Sequence, residues 1–227
     1  MRLSVFSLIL SGIFTAVFVV FIFAKWQDKN EHIKKLNSEI MTMRTKLNHA
    51  EAVGTKALAY ARVSRGLELI VGRRLTTAQK KILTERLYSI SMDYKIDPVL
   101  ILAVIHQESK GNPTARGAFM SGIESGALGL MQIKYESALE VAHTVGIKLN
   151  SREDLFVPEI NLMVGTAYLL RLIAKYNNLQ HALIAYNIGL GNLEARLRSG
   201  EALPTRYYNR IMQNYMFLSM RIFNDKY

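Results

Sequence analysis

The chain is predicted to be all-α, and three observations carry that expectation. Apolar residues recur at three- and four-residue spacing from residue 77 onward, helix-capping residues stand at the starts of those runs, and neither a hairpin dipeptide nor a sustained period-two run competes. Thr77 can cap a helix carrying Ile82, Leu83, Leu87 and Ile90. Asp97 then caps another, with Pro98 at its first position. That helix, residues 98–109, reads PVLILAVIHQES and is apolar on nearly all sides, the pattern of a helix buried in the middle of a domain. Lys110-Gly111-Asn112-Pro113 ends it.

Composition narrows the rest. With 227 residues, 50% hydrophobic and 21% charged, the chain can bury one ordinary core. The absence of cysteine excludes disulfides, thiolate metal sites and a cysteine nucleophile. The five histidines, His32, His49, His106, His143 and His181, form no metal-spaced pair, and no GxSxG elbow or phosphate-cradling loop occurs, so no cofactor and no metal is implied. The net charge of +11 is concentrated at one end: residues 1–80 hold thirteen Lys/Arg against five Asp/Glu, and residues 81–227 hold sixteen against thirteen. A basic stretch beside an apolar anchor reads as a membrane-surface feature, and nucleic acid is not an expected partner.

The anchor is residues 3–24, twenty-two residues without a charge, enough for about 30 Å of helix and a bilayer span. A cleaved signal peptide is the rival reading. Its apolar core is normally shorter, and Ile22-Phe23-Ala24 puts bulky side chains where a small-x-small cleavage site belongs. Beyond the span, Ile33, Leu36, Ile40, Met43 and Leu47 follow a heptad, continued by Ala50 and weakened at Gly54. This stripe suits either a coiled coil, with a second copy of the chain as partner, or an amphipathic helix packed on the domain behind it. Residues 55–75, with Arg62, Arg65, Arg73 and Arg74, look like a basic connector. The expected division is thus an anchor at 1–24, a helical stalk and connector at 25–76, a catalytic domain at 77–220 and a tail at 221–227.

Glu108 is the residue with unusual chemistry. It leaves an apolar helix at that helix's C-terminus, where desolvation and the macrodipole both disfavour ionisation and raise its pKa, as a general acid requires. Downstream, Gly126-Ala127-Leu128-Gly129-Leu130-Met131-Gln132-Ile133 supplies a tight turn, an adaptable apolar side chain and an amide suited to a sugar groove. Tyr186 and Asn187 end another apolar helix just before Gly189.

Taken in order, Glu108-Ser109, this GALGLMQI run, Asp154-Leu155-Phe156 with Pro158, Asn161, Gly165 and Tyr168-Leu169, and Ala182-Leu183 with Ala185-Tyr186-Asn187, Gly189 and Gly191 resemble the soluble-lytic-transglycosylase (SLT) family over residues 80–210. The resemblance implies a goose-lysozyme-like catalytic domain that cleaves the MurNAc–GlcNAc linkage of peptidoglycan without adding water. It implies Glu108 as the single acid/base, Tyr186 close to it, and Ser109, Met131, Gln132, Asn187 and Tyr208 as groups binding the glycan. Two departures stand out. The stretch from Pro113 to Gly126 is longer than usual, so Ser121 and Ser125 both compete for the place of the groove serine. The family's Glu-Thr-x-x-Tyr is Pro204-Thr205-Arg206-Tyr207-Tyr208 here, without the carboxylate.

Two rivals to a lytic transglycosylase follow. A hydrolytic muramidase needs a second carboxylate, for which Glu124, Glu136, Asp154 and Glu159 are available. A catalytically quiet envelope scaffold would bind glycan or partners within a secretion or conjugation machine. The substrate places the domain on the periplasmic side of a bacterial inner membrane, against the tendency of Lys25, Lys29, Lys34 and Lys35 to stay in the cytoplasm.

Overall fold

The structure, a computed structural model, describes residues 2–118 and 122–223, with side chains from residue 12 onward. The chain divides into two compact units, residues 1–56 and 57–227. Helix α1 (Arg2–Val71) supplies the first unit and opens the second. The stretch 55–75, expected as a basic connector, contributes core: Val63, Leu67, Ile70, Val71 and Leu75 are all buried. Alternating arginines hid this face, since Arg62, Arg65, Arg73 and Arg74 are the residues that stand out in the sequence.

In the first unit the apolar residues between Ile13 and Phe23 are exposed. Among the described residues no helix is long and apolar enough to cross a membrane. The expected span at 3–24 lies partly outside them, since the side chains of residues 3–11 are not described.

The second unit is built around α3 (Pro98–Ser109). Asp97 caps it, its carboxylate accepting the Val99 N–H at 2.9 Å, with Pro98 in the first turn as the sequence predicts. Every residue from Val99 to Ile105 is buried. Around α3 lie the end of α1, α2 (Thr77–Tyr94) and α8 (Arg206–Phe223), which share one apolar cluster with it. Helix α2 starts one residue earlier in capping terms than the spacing suggests: Thr76 and Gln79 form a reciprocal capping box, and Thr77 is the first helical residue. A second cluster gathers α4 (Tyr135–Ala142), α5 (Pro158–Tyr176), α6 (Leu179–Ile188) and Leu193 of α7 (Leu190–Ser199).

The all-α expectation needs one correction. Three short strands, β1 (Arg116–Ala118), β2 (Glu124–Leu128) and β3 (Ile133–Lys134), form an antiparallel sheet in the order β1-β2-β3, with Leu128 opposite both Arg116 and Ile133. Strands of two to five residues with glycines between them are too short to produce a readable alternation.

A buried amide holds this sheet to the helices. Asn161 of α5 is fully buried; its Oδ1 accepts the Met131 N–H at 2.7 Å, and its Nδ2 donates to the carbonyls of Leu128 and Leu155, both at 2.8 Å. Gly129, at φ +75°, is pressed so close that a Cβ would fall 2.2 Å from Asn161 Nδ2. On the next turn of α5, a Cβ on Gly165 would fall 2.8 Å from that of Met131. Truncation of Asn161 removes three hydrogen bonds from backbone groups of the buried residues Leu128, Met131 and Leu155. Asn161→Ala is therefore expected to lower the unfolding free energy by about 3–5 kcal/mol. Urea denaturation monitored by circular dichroism checks this, and a loss below ~1 kcal/mol would show that the clamp is dispensable.

Candidate active site

Helix α3 ends at the wall of a cleft of about 690 Å³. Lys110 takes the left-handed conformation, φ 53°, and caps the helix by donating its N–H to the His106 carbonyl, so the chain turns away directly after Glu108 and Ser109. Glu108 is the single carboxylate among the described residues lining the cleft. The other walls come from the sheet (Arg116, Gly117, Ser125, Ala127, Ile133), from Gln132 and from the end of α6 (Tyr186, Asn187, Ile188).

Glu108 is half in the core and half in the cleft. Burial lifts its pKa from the ordinary 4.5 to about 7, while the hydroxyl of Tyr207, which donates to Glu108 Oε1, acts in the opposite sense. Burial, and then the charge of Glu108, push the Tyr207 hydroxyl well above the usual phenol range, so it stays a neutral donor. Tyr186 is raised well above that range for the same two reasons, in the same order, and its hydroxyl donates to the Met131 carbonyl at 2.8 Å. Its ring lies 5.8 Å from that of Tyr168. A carboxyl group poised to titrate near neutrality, flanked by two neutral phenols, can give up a proton and take one back.

The predicted site residues separate into two groups. Glu108, Ser109, Gln132, Tyr186 and Asn187 all line the cleft. Asn187 is exposed and has no hydrogen-bond partner among the described residues, leaving its amide available to a ligand. Gln132 is committed on one side: from a left-handed backbone, φ 49°, its Nε2 donates to the carbonyls of Ala115 at 3.0 Å and Gly129 at 2.9 Å. It offers the cleft an acceptor, Oε1, rather than the donor and acceptor pair the sequence suggests. Ser109 is also committed, donating to the Leu130 carbonyl at 2.7 Å and accepting the Gly111 N–H at 3.1 Å. It ties the end of α3 to the turn carrying Gln132.

Met131 and Tyr208 stand elsewhere. Met131 is fully buried in the core cluster and does not line the cleft; its side chain packs on α5, and its backbone carbonyl is the part that serves the site, by receiving Tyr186. Tyr208 packs at the edge of the α3 cluster, and its neighbour Tyr207 makes the bond to Glu108. The phase of α8 carries the signal that the motif match missed: Tyr207, Ile211, Leu218 and Ile222 form its buried face, and Tyr208 lies about 100° away from Tyr207. Ser125 lines the cleft, while Ser121 lies outside the described residues. Lys110, Arg116 and Lys134 also line it, a basic set that the sequence reading did not select.

The other candidate carboxylates are not among the described residues lining the cleft. Asp154 accepts the N–H groups of Asn150 and Ser151 at the start of a 3-10 turn, and Glu159 pairs with Arg86 at 2.7 Å. Glu124 stands 3.9 Å from Arg116, and Glu136 sits in the first turn of α4. His106 is absent from the cleft lining; burial, and secondarily Lys110, lower its pKa. Among the described residues no cluster of three or more acidic or histidine side chains could hold a metal.

Fold and cleft together define a helical domain with one protonatable carboxylate at the end of its central buried helix. Residues 88–209, more than half of the chain, match the family described as Transglycosylase SLT domain, and the chain belongs to that family. It is 38% identical over 90 residues to membrane-bound lytic murein transglycosylase E of Buchnera aphidicola, covering 39% of this chain and 38% of that protein. It is 38% identical over 138 residues to membrane-bound lytic murein transglycosylase C of Photorhabdus laumondii, covering 53% of this chain and 35% of the relative. Over 132 residues it is 30% identical to a transglycosylase of Enterobacteria phage PRD1, with 57% of this chain and 42% of that protein covered. The chain therefore spans less than half the length of each of these relatives. Among solved structures it is similar to the 70 kDa soluble lytic transglycosylase of Escherichia coli, with a TM-score of 0.43, 23% identity and coverage of 61% of this chain and 22% of that one.

The raised pKa of Glu108 has a consequence for stability. The folded chain holds this proton up to about pH 7 and the unfolded chain releases it near 4.5, so the ionised form penalises the folded state, fully above about pH 7 and not at all below about 4.5. Glu108→Gln removes that penalty while keeping the acceptor for Tyr207. At pH 8 the variant is expected to be more stable than the parent by up to about 3 kcal/mol, with the difference vanishing near pH 4. Paired urea titrations at the two pH values measure it; a difference independent of pH would contradict the burial of this carboxyl.

Proposed function

We propose that the protein is a peptidoglycan lytic transglycosylase that uses Glu108 as its only acid/base. The observation that carries this reading is the solitary carboxylate: one buried group with a pKa near 7 lines the cleft, and no second carboxylate joins it there among the described residues. Water-dependent inversion or double displacement calls for two. An intramolecular reaction calls for one, because the nucleophile belongs to the substrate.

In this scheme Glu108, protonated at rest, donates to the glycosidic oxygen between MurNAc and GlcNAc as the bond breaks, and the substrate N-acetyl group supports the cationic carbon. The resulting carboxylate, held by the Tyr207 hydroxyl, accepts the proton of the MurNAc C6 hydroxyl as that oxygen closes on C1. The ring so formed is 1,6-anhydroMurNAc, and no water is consumed. Gln132 Oε1 and the Asn187 amide stand where hydroxyl and N-acetyl groups of a bound strand can meet them.

Digestion of purified sacculi followed by mass spectrometry of the muropeptides tests this proposal. Anhydro ends are expected. Reducing MurNAc ends in their place would make the enzyme a hydrolase and overturn the single-carboxylate scheme. Glu108→Gln should lower turnover by about two to four orders of magnitude, the usual worth of positioned proton transfer. In the parent, kcat/KM should fall as the pH rises past about 7, because the acid is then spent.

The same reading sets a location. A domain that cuts glycan strands must face the periplasm, so residues 3–24 would act as a single-pass inner-membrane anchor with residues 25–227 outside. The run of exposed apolar side chains from Ile13 to Phe23 supports a lipid environment for this part of α1. Fusion of alkaline phosphatase to residue 227 should give an active phosphatase, and fusion of a fluorescent protein that matures only in the cytoplasm should stay dark. The reverse pattern would mean that the lysines after the span, and not the substrate, decide the orientation.

A further inference from the structure

Within the first unit, α1 carries a second apolar surface that nothing among the described residues covers. Ile33, Leu36, Ile40, Met43 and Leu47 lie between 44% and 68% exposed. Their three-and-four spacing lines them along one side of the helix, with Ala50 as the next position. Charges flank this stripe in a specific order. When Ile33, Ile40 and Leu47 are the a positions and Leu36, Met43 and Ala50 the d positions, Glu39 and Lys46 are g, and Arg44 and Glu51 are e. None of these four takes part in the ion pairs that the described residues form.

The charges distinguish the ways in which a second copy could meet the stripe. In a parallel, in-register pair each g residue faces the e residue five positions on in the other helix. Glu39 then faces the partner's Arg44, and Lys46 faces the partner's Glu51. Two-fold symmetry repeats both, so there are four contacts and every one is of opposite sign. His32 faces the partner's Asn37 without conflict. In the antiparallel alignment that keeps the apolar layers matched, g faces g, leaving only Glu39 against the partner's Lys46, twice. Isoleucine at two a positions with leucine and methionine at d suits two strands rather than three or four.

We propose that a second copy of this chain covers the stripe, forming a parallel, in-register, two-stranded coiled coil over residues 33–51. The inference rests on this helix face alone and stands or falls separately from the catalytic reading. It makes the enzyme a dimer joined through its stalk, with two catalytic domains per anchor pair.

The absence of cysteine makes the test direct. In the full chain in detergent micelles, Leu36→Cys puts one thiol of each copy against the other in the parallel pair, whereas Ser38→Cys, at the outward f position, separates them. Mild oxidation should give at least ~10-fold more linked dimer for Leu36→Cys than for Ser38→Cys. Adding Glu39→Arg to Leu36→Cys should reduce linkage, and adding Arg44→Glu as well should restore it, since the swapped pair again has opposite signs. Equal linkage at both cysteine positions would overturn the proposal. So would a failure of the double swap to restore linkage, or stronger linkage in a mixture of Leu36→Cys with Leu47→Cys chains than in either alone, because both are the signature of an antiparallel pair. Circular dichroism of each variant, expected to match the parent, keeps a loss of helix from passing for a loss of pairing.

Discussion

The site depends on one buried amide. Asn161 projects from α5 into the turn between β2 and β3, where it accepts the Met131 N–H and donates to the Leu128 carbonyl, and its third hydrogen bond ties that turn to the Leu155 carbonyl. Because an unmade hydrogen bond in the core is far more damaging than a made one is helpful, the turn has a single acceptable position relative to the helix. From that position follow the placement of Met131 in the core, the carbonyl that receives Tyr186, and the backbone strain at Gln132 that points its side chain along the cleft. The glycines at 129 and 165 serve the same end by letting backbone and thioether approach to distances no larger residue allows.

Against this rigid wall stands a carboxylate whose environment is set by a different device. Helix α3 is buried on all sides for two turns, so its last turn emerges from apolar surroundings, and burial is what lifts the Glu108 carboxyl. Tyr207 moderates the effect without supplying charge. A phenol above its ordinary range neither titrates with the carboxyl nor repels it, and its hydrogen bond favours the ionised form just as desolvation opposes it. The balance leaves the group near neutrality, where donating and recovering a proton are both within reach. The basic side chains of Lys110, Arg116 and Lys134 lie on the same cleft lining as the Glu108 carboxyl.

The two units differ in what they do with their apolar residues. The second unit gathers buried apolar residues into two clusters, whereas α1 between Ile13 and Leu47 displays its large apolar side chains. The display has two parts of different period: a stretch apolar all round, followed by a narrow stripe with charges beside it. A helix of the first kind is at home in hydrocarbon and one of the second kind against another helix, so a single secondary structure carries two separate demands for cover.

Much of this was decided by local sequence. The buried helix 98–109 was legible from its unbroken apolar run, its Asp-Pro start and its Lys-Gly stop, because capping and solvation act within a few residues of each other. The carboxyl at its end and the tyrosine and asparagine closing α6, all of which line the cleft, were legible for the same reason. What the sequence could not decide were matters of direction. Whether Gln132 gives the cleft its nitrogen or its oxygen depends on carbonyls of Ala115 and Gly129 that only the folded turn brings to it. Whether Met131 faces sugar or core depends on α5 closing behind it, and whether Tyr207 or Tyr208 meets Glu108 depends on the rotation of α8 about its own axis. The three strands escaped notice because each is held by its neighbours and by Asn161 rather than by any preference of its own residues, and a structure stabilised entirely by distant partners leaves no local pattern to read.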